Sequence, residues 1–487
     1  MSDVDTLKEK TAKGFFWAAL SNGAQQIVTM LIGIVMARLL SVEDYGMVAM
    51  LTVFSVIAGN LQESGLTSAL CVKKDAGPKD FNAVFWFSVM VSVSIYCVLF
   101  LCAPWIAAFN DTPQLTTLGR VIFLGFVISS FGTASTAYLF RHLMVRQKTS
   151  SQVVASMASG AVGLATAFAG CGCWSLVAMD LSYKLTYTAL VCYYSPWRPS
   201  FSVDLRPALQ MFGFGSRLLV TNVLTTLNSQ LLQTLLGHFY PARQVGYYSQ
   251  ANKWTVMGSQ LLVSMVGNVA QPVLAGVNDE AQRQVRIFRK MLRFTAMLAF
   301  PVLGALALVA PEFIPLTVGE KWNVCVPYLQ TLCVGCAFWP VCQMFSNLLI
   351  SKGRSDIYMY VTLLFIACQL GCVLSLCTIG VQTLLFATAG LNVLWLFVWH
   401  IATARLTQIP IWRVLADIFP FLGSALVAIA AGEGVAMPLE GNLLRLLVKS
   451  IAVIAVYASC MALLRVDIWG ECVDFFLGKL RKAFRKA

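Results

Sequence analysis

The sequence predicts an all-α integral membrane protein of about fourteen transmembrane helices, built from two pseudo-symmetric six-helix bundles around a central cavity, with two extra C-terminal helices. Three observations lead to this fold class: the composition, the number of apolar segments, and an internal repeat. Of the 487 residues, 58% are hydrophobic and only 12% are charged. Soluble domains carry about 25% charged residues. Much of the surface must therefore face lipid, where only helices or closed barrels satisfy the backbone.

Fourteen apolar segments are long enough to be counted as membrane spans. They are numbered in chain order as the first to the fourteenth span. Their approximate limits are 14–38, 45–70, 82–108, 115–139, 151–170, 174–195, 209–238, 246–272, 292–316, 327–350, 357–379, 382–404, 414–432 and 443–464.

The charges between the spans predict the orientation. With the N-terminus placed in the cytoplasm, 26 of the 35 Lys and Arg residues fall on the cytoplasmic side and 6 on the outer side. The remaining three, Lys184, Arg217 and Lys253, lie inside spans. This asymmetry follows the positive-inside rule and places both termini in the cytoplasm. The net charge of +13 is thus explained by topology, and a nucleic-acid partner is not expected.

Two basic stretches combine charged and apolar residues. They are 278–294, just before the ninth span, and the C-terminal tail 473–487. Both are candidates for amphipathic helices on anionic headgroups. The alternative is that each is an ordinary positive-inside flank.

An internal repeat relates the first two spans to the seventh and eighth at an offset of 200 residues. It aligns Asn22 with Asn222 and Gly46 with Gly246, without a gap. Six spans per copy make the repeat parallel. The predicted domains are an N-lobe over 1–200, a C-lobe over 201–408, and the last two spans with a basic cytoplasmic tail over 409–487.

Polar side chains recur on one helix face in each of these four spans. Because such stripes are costly against lipid, they predict a hydrated cleft lined by spans 1, 2, 7 and 8. The alternative is that they hold helices together. The stripes consist of Asn22, Gln25, Gln26 and Thr29; Asn60, Ser64 and Ser68; Asn222, Thr225, Thr226 and Ser229; and Gln260, Ser264 and Asn268.

Ionisable residues at membrane depth are functional candidates. Arg217 and Lys253 have no acidic neighbour one turn away on their own helices, and a cation pair suits a phosphate or diphosphate. On an ideal helix, however, Arg217 points away from the Asn222 stripe. Glu63, Asp180 and Lys184 are candidates for ion coupling. Alternatively, Asp180 and Lys184 form a self-contained i,i+4 pair, and Glu63 reaches cytoplasmic water.

Amide side chains near the cation pair suit sugar hydroxyls. The predicted substrate-binding set therefore comprises Arg217, Lys253, Asn22, Gln25, Gln26, Asn222, Gln250 and Gln260.

Catalytic chemistry has little support in the sequence. The three histidines, His142, His238 and His400, are not arranged with carboxylates or thiols at metal or nucleophile spacing. A phosphate-binding loop of the GxxxxGK[ST] type is absent. Cysteine pairs at 171/173 and 333/336 are interpreted as buried apolar residues. We expect no cofactor, no metal and no enzymatic activity.

Several segments carry a resemblance to a known family. They are KGFFWAALSNGAQQIVTMLIGIVMARLLSVEDYGMVAML at the start, VGYYSQANKW after the seventh span, QKTSS after the fourth and SKGRSD after the tenth. Over essentially its whole length the chain resembles the polysaccharide-export flippases (Wzx type, polysaccharide biosynthesis proteins) of the multidrug/oligosaccharidyl-lipid/polysaccharide superfamily.

The resemblance implies a two-lobed fold of fourteen helices in the bacterial inner membrane. It implies translocation of undecaprenyl-diphosphate-linked oligosaccharide to the outer leaflet by alternating access, driven by an ion gradient. The implied products are lipopolysaccharide, capsule or exopolysaccharide, and the implied partners are a polymerase and a chain-length regulator. Members place basic residues in the central cavity, and Arg217 and Lys253 match that pattern.

Two other functions remain open. A cation or drug antiporter of the same superfamily would use a cavity dominated by carboxylates and usually has twelve helices. A membrane glycosyltransferase or polymerase would need a long extramembrane loop, and no gap between spans much exceeds about twenty residues.

Overall fold

A computed structural model describes residues 26–63, 70, 77–142, 144–201, 204–208, 226, 230, 232–277, 280–464, 466, 469 and 470. All regular structure in these residues is helical. Ten of the described helical segments are long and apolar enough to cross a membrane, as the fold class requires. The chain forms two compact units, Met1–Gly246 and Tyr247–Ala487.

The first unit contains seven of the helices numbered here, in chain order. They are α1 Gln26–Leu39, α2 Val42–Glu63, α3 Pro78–Phe109, α4 Leu115–Ile122, α5 Leu124–Arg141, α6 Val145–Phe168 and α7 Cys173–Tyr194. Residues 232–239 are also helical.

The second unit holds most of α8, which begins within the first unit, and all later helices. They are α8 Ala242–Gly276, α9 Ala281–Thr317, α10 Cys325–Ala337, α11 Trp339–Ser351, α12 Ser355–Leu376, α13 Val381–Thr407, α14 Ile411–Ala436 and α15 Asn442–Leu463. A short 3₁₀ turn, Glu320–Trp322, precedes α10.

The predicted spans compare well with the helices. Ten of the fourteen coincide with membrane-length apolar helices. The sixth and eighth spans coincide with α7 and α8, which are long enough but more polar. Much of the first and seventh spans, 14–38 and 209–238, lies outside the described residues. The count of fourteen therefore stays a prediction.

The fourth and tenth spans are each interrupted. The fourth breaks at Phe123, between α4 and α5, and the tenth breaks at Phe338, between α10 and α11. In the tenth span, Pro340 explains the break, because proline cannot donate to a carbonyl in the preceding turn. In the fourth, the amide of Phe126 donates to the carbonyl of Phe123 at 3.1 Å, which is a tighter turn than an α-helix makes.

The basic stretch 278–294 mostly forms the beginning of α9, which continues into the membrane span as one helix of 37 residues. Its apolar side is covered by protein. Phe288 is fully buried and packs edge-on against Phe345 at 5.2 Å between ring centroids. Gln284 is buried and donates to the carbonyl of Leu274 at 2.9 Å. This favours the interpretation as a flank of the span over a helix lying on headgroups.

Two glycines predicted to be equivalent lie in reciprocal contacts within the first unit. A Cβ atom at Gly46 would overlap the carbonyl oxygen of Ala242, and one at Gly246 would overlap the carbonyl oxygen of Val42. Between them, Arg243 Nε lies 3.5 Å from Glu43 Oε1. Only glycine allows the starts of α2 and α8 to approach this closely.

Candidate functional site

A cavity of about 780 Å³ with several polar side chains in its lining lies inside the first unit, among α2, α5, α6 and α7. Its volume is in the range of small-molecule sites. Hydroxyl and amide side chains dominate the polar part of its lining: Thr52, Ser55, Asn60, Ser129, Thr133, Thr136, Gln152 and Thr188. Such groups both donate and accept hydrogen bonds, so the cavity suits a neutral ligand rich in hydroxyls.

The cavity also contains an ion pair on one helix. Lys184 Nζ lies 2.6 Å from Asp180 Oδ2, one turn apart on α7. The side chains are 20% and 37% exposed, respectively, so both reach the cavity. This confirms the i,i+4 pairing that the spacing predicts.

The lysine of this pair is held by its neighbours on α5. Its Nζ lies 5.4 Å from the centre of the Phe126 ring, which is cation–π distance. A Cβ atom at Gly125 would lie 2.7 Å from Lys184 Cδ and 2.8 Å from Nζ. The missing side chain at Gly125 therefore leaves the space in which Lys184 lies.

An aromatic strip, formed by Tyr183 and Tyr187, lies beside the ion pair on the same helix. Tyr183 and Tyr187 line the cavity with parallel rings, 6.1 Å between centroids and 1° between planes. The next turn packs tightly on α5, because Thr188 donates to the carbonyl of Ile128 at 3.3 Å and faces Gly132. These contacts fix the helix that carries the charged and aromatic groups.

A second cation of the cavity was not identified from the sequence. Lys148, near the start of α6, lines the cavity, and its Nζ lies 5.3 Å from the centre of the Phe140 ring. In the charge pattern it is one of the cytoplasmic flanking residues between the fourth and fifth spans. A lysine at the end of a span matches the positive-inside pattern, so no local signal separates it from an ordinary flank.

One residue of the predicted polar stripe on α2 lines this cavity, which lies at a different place from the cleft predicted among spans 1, 2, 7 and 8. Asn60 lines the cavity, and its Nδ2 also donates to Thr226 Oγ1 at 2.5 Å. Thr226 belongs to the stripe predicted for the seventh span. At this contact Asn60 is both a packing contact to the other stripe and part of the cavity lining.

The predicted residues of the eighth span lie on α8. Lys253 is half-buried and Gln260 is exposed. Gln250 is buried, and neither its Nε2 nor its Oε1 has a hydrogen-bond partner in the described part of the chain. The same holds for Nε1 of Trp254, one turn later. These groups are suited to a polar ligand or water.

The structure says little about the other predicted site residues. Gln26 is exposed at the start of α1. Glu63 ends α2, and its side chain lies outside the described part. Asn22, Gln25, Arg217 and Asn222 lie outside the described residues.

A family model described as "Polysaccharide biosynthesis protein" matches residues 35–327, more than half of the chain. The chain belongs to this family. It is a multi-pass membrane protein of polysaccharide biosynthesis, as the resemblance of the sequence predicts.

Curated relatives of this polysaccharide biosynthesis protein come from several bacteria. The lipopolysaccharide biosynthesis protein WzxC of Escherichia coli (strain K12) is 25% identical over 72% of each chain. The teichuronic acid biosynthesis protein TuaB of Bacillus subtilis (strain 168) is 24% identical over 73% of this chain and 74% of its own. The succinoglycan biosynthesis transport protein ExoT of Rhizobium meliloti (strain 1021) is 23% identical over 72% of each chain.

Solved structures share the fold. An inward closed structure of the lipid II flippase MurJ matches 93% of this chain and 99% of its own, with a TM-score of 0.76 and 11% identity. An inward-facing multidrug resistance transporter of the MATE family matches 79% of this chain and 95% of its own, with a TM-score of 0.63 and 15% identity.

Proposed function

We propose that this protein is a flippase that moves polyprenyl-diphosphate-linked oligosaccharide to the outer leaflet of the bacterial inner membrane by alternating access. The observation that carries the proposal is the hydroxyl- and amide-lined cavity of about 780 Å³ inside a protein of the polysaccharide biosynthesis family. The names of ExoT, a transport protein, and MurJ, a flippase, support transport over covalent chemistry.

The two chemical parts of the substrate need different groups. Sugar hydroxyls exchange hydrogen bonds with water for hydrogen bonds with hydroxyl and amide side chains. The diphosphate needs counter-charges, since an unpaired anion removed from water costs several kcal/mol. Lys148 supplies one cation in the cavity of the first unit. Arg217 and Lys253 remain our proposed cations from the seventh and eighth spans.

Several finer features belong to the same proposal. The protein has fourteen spans in two repeated lobes plus two further helices, and both termini are cytoplasmic. It uses no cofactor and is not an enzyme. Asp180, Lys184 and Glu63 are candidates for ion coupling. A polysaccharide polymerase and a chain-length regulator are its proposed partners.

The pairing of Asp180 bears on the antiporter alternative. A cation antiporter needs carboxylates that can take up its substrate or a proton. In the first-unit cavity, Lys184 neutralises Asp180 at 2.6 Å. This arrangement favours a substrate rich in hydroxyl groups over an organic cation.

Complementation of a bacterial strain that lacks its polysaccharide flippase tests the function. The expected result is restored surface glycan and loss of the accumulated lipid-linked repeat unit, both measured by glycan and lipid analysis. Lys148→Ala, Lys253→Ala and Arg217→Ala should each lower export at normal protein level. Lys148→Arg and Lys253→Arg should retain part of it, because the charge is kept while the geometry changes.

Arg146→Ala is the matched control, because Arg146 is an exposed cation on the same helix as Lys148 and outside the cavity lining. It should export normally. The contrary outcome is a stable, membrane-inserted protein that restores no glycan in any such strain but confers resistance to organic cations. That result would favour the antiporter function over the flippase function.

A further inference from the structure

The most specific surface in the cavity is the aromatic strip on α7. Tyr183 and Tyr187 are one helical turn apart, and both line the cavity. Their rings are parallel to within 1° at 6.1 Å between centroids, so the two tyrosines form an offset-stacked pair. Two tyrosines at this spacing share a helix face, so the stacked pair lies on one side of α7.

Hydrogen-bonding groups lie beside this stacked aromatic pair. Asp180, less than one turn before Tyr183, uses Oδ2 to bind Lys184, and its Oδ1 accepts no hydrogen bond from the residues that the structure describes. Thr133 and Thr136 on α5 line the same cavity. The ligand surface thus combines aromatic faces with a carboxylate oxygen and hydroxyl groups.

The carboxylate is positioned by its lysine partner. Lys184 is placed by the space at Gly125 and by the ring of Phe126, and it binds Asp180 through Oδ2. A preorganised acceptor next to a rigid aromatic surface loses little freedom when a ligand binds. This combination matches a pyranose ring, which has an apolar C–H face and hydroxyl groups at its edge.

We propose that Tyr183, Tyr187 and Asp180 form a sugar-binding subsite for the glycan of the lipid-linked substrate. A sugar ring stacks with its C–H face on the tyrosine strip and donates a hydroxyl hydrogen bond to Asp180 Oδ1. This inference rests on the proposed function. It assigns the place where the glycan is recognised, as distinct from the diphosphate.

Binding measurements on the purified full-length protein in lipid nanodiscs test the subsite. One ligand is undecaprenyl diphosphate. The other is the undecaprenyl-diphosphate-linked repeat unit extracted from a strain that lacks its flippase. Tyr183→Ala/Tyr187→Ala should weaken binding of the glycosylated lipid by about tenfold. Binding of undecaprenyl diphosphate should change by less than about twofold.

Conservative variants separate recognition from folding. Tyr183→Phe/Tyr187→Phe keeps both aromatic faces and should bind the glycosylated lipid nearly as the wild type does. Tyr194→Ala is the control, because Tyr194 is an exposed tyrosine at the end of the same helix and is not among the cavity-lining residues. It should bind both ligands normally.

The outcomes distinguish the two levels of inference. If the wild type binds neither ligand better than phosphatidylglycerol, the proposed function fails. If the wild type prefers the glycosylated lipid and the alanine variant keeps that preference, the subsite is overturned while the function stands. Equal weakening of both ligands in the phenylalanine variant would also overturn the subsite, because a stacking surface would still be present.

Discussion

At the scale of single residues, the placement of Lys184 depends on the absence of a side chain at Gly125 on α5. The space at Gly125 accommodates the end of the lysine side chain, and Phe126 lies beside its ammonium group. The ion pair with Asp180 is 2.6 Å long but partly exposed, so its contribution to stability is about 0–1 kcal/mol. The main effect of this ion pair is therefore to position the two side chains in the cavity.

Gly125→Ala should displace Lys184 and disturb the ion pair with little loss of stability. The new Cβ would lie 2.7–2.8 Å from the far end of a flexible side chain, which can move away. We expect the thermal unfolding temperature to stay within a few degrees, while export in the complementation assay falls. Gly59→Ala is a matched control, because Gly59 lines the same cavity and has no atom within 4 Å of the added Cβ. Normal export by Gly125→Ala would show that the lysine position is unimportant.

At the scale of helices, one buried carboxylate connects α9 to α14. Asp417 is fully buried and binds Arg289 through Nε at 2.6 Å and Nη2 at 2.9 Å. It also accepts a hydrogen bond from Arg293 Nε at 2.5 Å. A carboxylate with two guanidinium partners satisfies most of its lone pairs, so its burial is tolerated.

Asp417→Leu should destabilise the protein by about 3 kcal/mol, near the low end for a broken buried pair. The low end applies because Arg289 and Arg293 are 30% and 38% exposed and can turn toward water or headgroups. Thermal unfolding in detergent measures the effect. Asp356→Leu is the control, since its pair with Arg354 is about half exposed on both sides and its loss should change the unfolding temperature little. An equal loss of stability in both variants would contradict a stabilising role for the contacts of Asp417 with Arg289 and Arg293.

The opposite ends of the same helices meet in a second ionic cluster. Lys449 on α15 is buried and lies 2.7 Å from both Glu312 on α9 and Glu433 on α14. Lys449→Met should leave Glu312 buried without its cation and cost about 3–5 kcal/mol. Lys449→Met/Glu312→Leu should recover much of that loss, as a double-mutant cycle on thermal unfolding would measure. Additive losses would show that Glu312 does not depend on Lys449.

The sequence predicted these elements better than their contacts. Apolar length located the ten described spans, and a spacing of four residues gave the Asp180–Lys184 pair. Asp417 and Arg289 are 128 residues apart, so no periodicity joins them. Lys148 matches a flanking charge, and nothing near Phe123 in the sequence marks the break in the fourth span. These features depend on tertiary packing, which hydropathy and helical period do not encode.

At the scale of the whole molecule, the distribution of charge predicts the side of the membrane for every loop. Single cysteines at Lys79 and Arg286 should react with a thiol reagent only from the cytoplasm. Those at Asp111 and Glu440 should react with an impermeant reagent added outside. All four positions are exposed, so a lack of labelling cannot be attributed to burial. Any one of these positions labelled from the opposite side would overturn the orientation.

The same helix ending follows both interrupted spans. After the interrupted fourth span, the amide of Met144 donates to the carbonyl of Leu139 at 2.9 Å. After the interrupted tenth span, the amide of Arg354 donates to the carbonyl of Leu349, also at 2.9 Å. Both turns close the same six-residue ring before the next helix begins, but so do the helix ends at Thr112, Cys171 and Gly319, so this is a common helix ending and does not by itself indicate a repeat.

The reciprocal glycine contacts limit how two copies of the predicted repeat can diverge. At positions 46 and 246 a larger side chain would meet a backbone carbonyl, and no change of rotamer nearby can make room for it. Positions 43 and 243 behave in the opposite way, because Glu43 and Arg243 lie 3.5 Å apart and two identical halves would place like charges there. If the predicted repeat arose by gene duplication, both copies kept this glycine while one of them changed the sign of a charge.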